Sequence, residues 1–211
     1  MKLTNCKINY DQKMQEQISV LSSKPKLLLH SCCGPCSSAC IERLLNFFDI
    51  TIFYYNPNIY PKQEFEKRLF NQNKVIKFFN KVKIVSPTYD EQEYLQKIKG
   101  LEGEKEGGSR CDACFELRLF QTALFAKEHG YDYFGTTLTV SSHKNEQHIN
   151  KIGEQISQKL DIKFLYSDFK KHEGYKRSIE LSKQIDLYRQ NYCGCRFSIR
   201  QGEDSWDMHH I

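Results

Sequence analysis

Segments typical of strands alternate with segments typical of helices along most of this 211-residue chain. Apolar or β-branched runs occupy residues 26–30, 49–55, 81–86, 131–138 and 162–166, and stretches with helical spacing lie between them. This order predicts an α/β fold with a mostly parallel sheet flanked by helices on both faces, Rossmann-like, in a single domain with a helical C-terminal part. We expect residues 1–23 to form an N-terminal extension, residues 24–200 the α/β domain and residues 201–211 a C-terminal tail.

Polar segments follow three of the predicted strands. Residues 30–33 (HSCC) come after the first strand, residues 56–58 (NPN) after the second, and residues 136–139 (TTLT) after the fourth. Parallel sheets place their ligand sites outside the carboxyl ends of the strands. We therefore expect these three segments to meet at one edge of the sheet.

Nine cysteines are many for a chain of this size, and eight of them lie in close-set clusters. The first residues lack the apolar core of a signal peptide, and no segment approaches the roughly 18 consecutive apolar residues of a membrane span. We therefore expect a cytoplasmic protein with no membrane partner, whose cysteines are metal ligands or redox groups rather than a disulfide framework. The formal charge of +5 is compatible with a polyanionic partner such as RNA but does not establish one.

Two cysteine pairs together offer four thiolates. Cys32 and Cys33 are vicinal, so only a turn lets both reach one metal, and the helix predicted to begin near Cys36 would favour deprotonated sulfurs there. Cys111 and Cys114 have the CxxC spacing that lets two sulfurs converge on one centre. Four thiolates suit a [4Fe–4S] cluster, although structural zinc takes the same ligands.

The other clustered cysteines leave alternatives open. Cys36 and Cys40 are either further ligands or helical residues packed against the sheet, with packing the favoured interpretation for Cys40. The CxC spacing of Cys193 and Cys195 closes a small ring, so a disulfide there would be strained and reducible. The competing interpretation makes both sulfurs ligands of a second metal.

The chain resembles the epoxyqueuosine reductases of the QueH type. The matching segments run in order through most of the chain: HSCCGPCS at residues 30–37, YYNPNIYPKQEFEKR at 54–68, EGGSRCDACFELRL at 106–119, FGTTLTVSSHKN at 134–145 and YCGCRFS at 192–198. This ordered set is much more specific than any one cysteine motif. Cys6 and the segment after residue 198 match no motif.

The resemblance implies reduction of the epoxide of epoxyqueuosine in the tRNA anticodon loop to queuosine, the last step of queuosine biosynthesis. It implies a [4Fe–4S] cluster and no cobalamin, with an external electron donor. Carried onto this sequence, the cluster ligands would be Cys32, Cys33, Cys111 and Cys114. Cys193 and Cys195 would form a redox pair, or would bind a second iron.

Removal of an epoxide oxygen needs two electrons and an acid for the departing oxygen. Asp112, near the expected cluster, is a candidate acid, although an aspartate at a helix start is more often a cap. Arg110 and Lys144 are candidate phosphate contacts. Tyr54, Tyr55 and Tyr60 are candidates for stacking on an unpaired base, the usual way of holding single-stranded RNA.

Two other functions fit parts of the pattern. The same four thiolates would serve a zinc-binding RNA module without redox activity. A nucleotide-dependent RNA sulfur transferase would also combine an α/β sheet with cysteine pairs. The second class expects a glycine- and serine-rich pyrophosphate loop after the first strand, where this chain has residues 31–35 (SCCGP), so it ranks third.

Overall fold

Five parallel strands form the centre of the molecule in a computed structural model that describes residues 7–199. The strands are β1 (Lys26–His30), β2 (Asp49–Phe53), β3 (Lys83–Val85), β4 (Tyr133–Thr136) and β5 (Lys163–Phe164). Their order across the sheet is β3-β2-β1-β4-β5, and every neighbouring pair is parallel. The predicted parallel α/β architecture is confirmed.

Seven α-helices connect and flank these strands within residues 7–199. They are α1 (Tyr10–Ser19), α2 (Gly34–Leu44), α3 (Lys62–Phe79), α4 (Glu91–Lys97), α5 (Ser109–Glu128), α6 (Glu146–Leu160) and α7 (Gly174–Gln184). Helices α2 and α3 pack against each other, α7 packs against α2, and α5 packs against α6. The short 3-10 helices Leu138–Val140 and Arg196–Ser198 complete the ordered elements.

The central strand β1 divides the core into two halves because successive side chains of a strand point to opposite faces. Leu27 and Leu29 belong to the first apolar cluster, together with residues of α1, α2 and α3. Leu28 belongs to the second cluster, together with residues of α5 and α6. All three leucines are fully buried. The apolar run of β1 is therefore explained by helices on both faces of the sheet.

Helix α1 lies in the segment that we predicted to be an N-terminal extension. Met14 is fully buried, and Tyr10 and Ile18 are nearly so. Met14 and Ile18 pack in the same cluster as Leu27, so residues 10–19 belong to the α/β body. The i, i+4, i+8 spacing of Tyr10, Met14 and Ile18 is the signal that could have revealed this helix. The predicted tail, residues 201–211, and Cys6 lie outside the described residues.

None of the helices within residues 7–199 is long and apolar enough to cross a bilayer.

Candidate functional site

A cleft of about 420 Å³ opens at the carboxyl ends of β1 and β4. The chain order reverses between these two strands, because β2 and β3 lie on one side of β1 while β4 and β5 lie on the other. Such reversal points are where open parallel sheets bind ligands. The cleft is lined, among others, by Cys32, Cys36, Ser141, Lys144, Arg189 and Cys193. The predicted meeting of three segments at this edge is confirmed, because the N–H of Thr137 donates to the carbonyl of His30 and Nδ2 of Asn56 donates to the carbonyl of Ser31.

Three sulfurs meet where β1 passes into α2. The sulfurs of Cys32, Cys33 and Cys36 all lie within 4.8 Å of one another. Cys33 caps the helix with an extended backbone, and Pro35 occupies its first turn. Gly34, the first residue of α2, lets this helix lie close to α3, because a Cβ there would lie 2.7 Å from the carbonyl oxygen of Asn71. The turn therefore brings Cys36 to the vicinal pair.

The three thiols differ in how readily they lose a proton. Hydrogen bonds from Cys33 and Cys36 hold the pKa of Cys32 well below its usual value, and the positive charges of Lys144 and Arg118 add to this effect. Burial raises the pKa of Cys33 to about 12. The thiols of Cys33 and Cys36 therefore favour the thiolate form of Cys32. A bound metal would replace those protons, since thiolates are the form that ligates metals.

Gln190 and Cys40 also belong to this region, and only the contact of Gln190 was missed from the sequence. Gln190 donates from Nε2 to the sulfur of Cys33 at 3.0 Å, across 157 positions of the chain. Cys40 is fully buried, and its thiol donates to the carbonyl of Cys36 at 3.2 Å. The geometry of Cys40 fits the packing interpretation.

Helix α5 carries the CxxC pair in its first turns. The backbone N–H of Gly107 donates to the sulfur of Cys111 at 3.2 Å. Cys114 is buried and packs with Tyr94, Ile98 and Cys195. Burial raises its pKa to about 12. Both sulfurs of the CxxC pair interact electrostatically with the CxC pair, so the structure brings these four cysteines to one place.

The loop that carries Cys193 and Cys195 is held against the first half of the chain. Arg68, almost fully buried, donates from Nη1 to the carbonyl of Cys193 at 3.1 Å. Gly194 has φ +126°, and a Cβ there would lie 2.9 Å from Nη1 of Arg68. Both cysteines are free thiols in the structure, and Cys195 lies 3.6 Å from the hydroxyl of Ser198. Arg68 was missed from the sequence because it contacts residues more than 120 positions away.

The donor set fits a thiolate-bound metal. Among the described residues, the tight group able to hold one metal ion is Cys32, Cys33 and Cys36. A [4Fe–4S] cluster places each thiolate on a different iron, so its ligands stand farther apart than those of a single ion. Cys111 and Cys114 lie outside the tight group, and their place in a [4Fe–4S] cluster stays a prediction.

Lys144 lies in the cleft and is half-buried. Burial by itself would lower its pKa, but the sulfurs of Cys193, Cys32 and Cys36 hold it above the usual range.

Arg110 is placed differently. It is buried, and its Nη1 donates to the carbonyls of Glu102 and Glu104, so it ties down the glycine-rich loop before α5.

The tyrosines predicted to stack on a base differ in exposure. Tyr54 is fully buried, and its hydroxyl donates to the carbonyl of Phe65 at 3.1 Å. Tyr55 is also buried and its hydroxyl donates to Glu93. Tyr60 is 37% exposed, and Tyr175, which was not predicted, is 42% exposed and lines the cleft.

Asp112 points away from the sulfurs of its neighbours on α5. It lies 3.4 Å from Nδ1 of His148 and lines a separate groove of about 360 Å³ between α5 and α6. The structure therefore brings Lys144 to the cysteine cleft and places Asp112 in another depression.

Comparisons with known proteins identify the family of this chain. The sequence profile described as "Epoxyqueuosine reductase QueH" matches residues 27–201. A protein of that name from Staphylococcus epidermidis is 46% identical over 214 residues, covering 96% of this chain and 90% of the relative. A protein of the same name from Streptococcus pyogenes is 44% identical, covering 95% of this chain and 82% of the relative. Another from Staphylococcus aureus is also 44% identical, covering 96% of this chain and 89% of the relative. With the cysteine segments in matching order, the chain belongs to the QueH family of epoxyqueuosine reductases.

Proposed function

We propose that this protein reduces the epoxide of epoxyqueuosine in the anticodon loop of tRNA, giving queuosine and water. The observation that carries the proposal is the meeting of Cys32, Cys36 and Cys193 in one cleft at the reversal point of the sheet. The sulfurs of Cys111 and Cys114 in turn interact electrostatically with the CxC pair. Family membership and the printed names of its relatives support the reaction. We expect this to take place in the cytoplasm, with an external protein or small-molecule reductant as electron donor.

The reaction must balance two electrons and two protons. The epoxide oxygen leaves as water, both of its C–O bonds break, and a C=C bond forms between the two carbons. A [4Fe–4S] cluster, held by Cys32, Cys33, Cys111 and Cys114, would supply the electrons singly. Cys36, in reach of the same metal as the vicinal pair, is a further candidate ligand.

The chain's own groups would bind the substrate and deliver the protons. Lys144 holds a proton at Nζ inside the cleft, where an ammonium can protonate a departing oxygen or bind a phosphate. Asp112 remains a second proposed acid, but it would have to turn away from the groove where it faces His148.

The RNA-binding contacts are proposed in the same region. Tyr175 offers an exposed ring at the cleft, with the guanidinium of Arg189 5.8 Å from its centre. Tyr54 and Tyr55 would reach a base only after leaving their buried positions. Arg110 supports the site through the loop that it holds, and its predicted phosphate contact would require release from the carbonyls of that loop.

Metal analysis tests the proposal. Anaerobically prepared protein should contain iron and acid-labile sulfide and absorb broadly in the visible range. Replacing Cys111 or Cys114 with serine should bleach this absorbance and abolish epoxide reduction, whereas Cys40→Ser, a buried thiol outside the proposed ligand set, should keep the iron. A colourless wild-type protein with zinc and no iron would support the zinc-binding module instead.

A second measurement addresses the CxC pair. If Cys193 and Cys195 relay electrons, the variants Cys193→Ser and Cys195→Ser should keep iron and sulfide but lose multiple turnover with a thiol-based donor. Dithionite should then restore part of the activity by reducing the cluster directly. Loss of about one iron per chain at constant sulfide, with no rescue, would instead indicate that the pair binds a second iron.

A further inference from the structure

Arg118 is a buried cation without a carboxylate partner. It lies on α5 and is 2% exposed. Its Nε donates to the carbonyl of Cys114 at 3.2 Å, and its Nη2 has no hydrogen-bond partner. No ion pair formed by residues 7–199 includes it. A guanidinium does not lose its charge on burial, so an anion must balance it.

The other two buried arginines of residues 7–199 make more hydrogen bonds. Arg68 lies 2.6 Å from Glu64 through Nε and donates to the carbonyl of Cys193. Arg110 donates to two loop carbonyls. Nε of Arg110 also lacks a partner, but Arg118 differs from both because it makes a single hydrogen bond, to a backbone carbonyl.

Sulfurs from all three cysteine segments act electrostatically on Arg118, and so does Tyr94, whose pKa burial holds above its usual range. Cys114 lies one turn before it on the same face of α5, and Cys193 and Cys32 belong to the loop after α7 and the turn after β1. The ring of Phe115, 5.5 Å from its Cζ, covers another side of the guanidinium. The anion that would balance Arg118 is thus the thiolate set as a whole.

We infer that Arg118 is the counter-cation of the metal centre and raises its reduction potential. This inference rests on the proposed iron–sulfur function. Adding one electron to a thiolate-bound cluster adds one negative charge and breaks no bond. A fixed positive charge in a water-poor surrounding stabilises the reduced form more than the oxidised form.

The test is a redox titration of the iron-loaded full chain under argon, with dithionite as reductant and visible absorbance as readout. Arg118→Gln removes the charge, and Arg118→Lys keeps it while losing the planar donors. Arg43→Gln is the matched control, because Arg43 is half-buried and pairs with Asp11. At a potential that reduces half of the wild-type clusters, we expect Arg118→Gln to lower the reduced-to-oxidised ratio about tenfold, equivalent to about 59 mV for one electron. We expect a smaller shift for Arg118→Lys and none for Arg43→Gln.

Each outcome decides the question. If Arg118→Gln binds no iron while Arg118→Lys binds the full amount, the positive charge is required by the centre and the inference holds. Full iron with an unchanged potential in Arg118→Gln would overturn it, and so would loss of iron from both variants, which would indicate a role in shape rather than in charge. A wild-type protein without iron would refute the proposed function itself, whereas failure of the variants alone would refute only the role of Arg118.

Discussion

His30 shows how a single residue supports the site without facing the cleft. It is fully buried at the end of β1, and its Nε2 lies 3.2 Å from the carbonyl of Tyr55. A carbonyl only accepts, so Nε2 carries the proton, and Nδ1 then accepts from the hydroxyl of Thr136 at 3.1 Å. The neutral imidazole thus joins β1 to the ends of β2 and β4. Burial, with the charge of Arg118, lowers its pKa from 6.5 to about 3.

This pKa predicts a loss of stability on mild acidification. The unfolded chain takes up a proton on His30 below about pH 6.5, whereas the folded chain resists protonation down to about pH 3, so the stabilisation is full above 6.5 and is lost as the pH falls. One proton corresponds to a slope of about 1.4 kcal/mol per pH unit. Urea unfolding between about pH 7 and pH 5 should show this slope in the wild type and a flatter one in His30→Asn. Equal slopes would contradict a neutral His30.

Lys144 is the residue for which binding and chemistry can be separated. If its ammonium delivers a proton, Lys144→Arg should keep tRNA affinity but slow single turnover with dithionite by about a hundredfold or more, because arginine keeps the charge and holds its proton too tightly. Asp112→Asn should change the rate little. An unchanged rate in Lys144→Arg would mean that Lys144 contacts phosphate but delivers no proton. A large loss of rate in Asp112→Asn would indicate that Asp112 is the acid.

At the scale of elements, the loop between α7 and the 3-10 helix Arg196–Ser198 depends on Gly194. A side chain there would adopt the unfavourable φ of +126° and also approach Arg68 and Ile59. We predict that Gly194→Ala costs about 1–3 kcal/mol in urea unfolding and impairs turnover with a thiol-based donor. Gly130→Ala is the control, because Gly130 also has a positive φ but nothing lies within 4 Å of the added Cβ. Equal effects of the two variants would mean that crowding at Gly194 is unimportant.

The elements themselves were largely predictable from the sequence. Buried strands flanked by helices have continuous apolar runs, so all five strands were predicted near their observed positions. Helix α1 was missed because its apolar residues are sparse within the segment YDQKMQEQIS. The cysteine segments were predictable as motifs, but the contacts of Gln190, Arg68 and Arg118 depend on tertiary packing that no local pattern contains.

For the whole molecule, tRNA binding should combine charge with stacking. Affinity should fall steeply with added salt, and Lys144→Met should reduce the slope of log affinity against log salt by about 0.7 if one single-stranded phosphate contact is lost. Tyr175→Ala should weaken binding by about 1–3 kcal/mol without changing that slope, because stacking releases no counterions. Tyr54→Phe, a change inside the core, should leave binding unaltered. Salt-dependent binding curves check all three, and a flat salt response would contradict the electrostatic part.

The place of β1 in the sheet also governs when the proposed metal centre can form during synthesis. Its Leu27 pairs with Ile50 on one side but with Tyr133, 106 positions later, on the other. A ribosome therefore releases Cys32 and Cys33 long before β4 exists to close the sheet, and the loop with Cys193 follows later still. Such non-local pairing is slow to form. Helix α5, which carries Cys111 and Cys114, packs against both β1 and β4. We therefore expect that nascent chains stalled before residue 133 do not form the iron–sulfur chromophore, although they contain all four proposed ligands, and that released chains acquire their colour only after β4 has paired with β1.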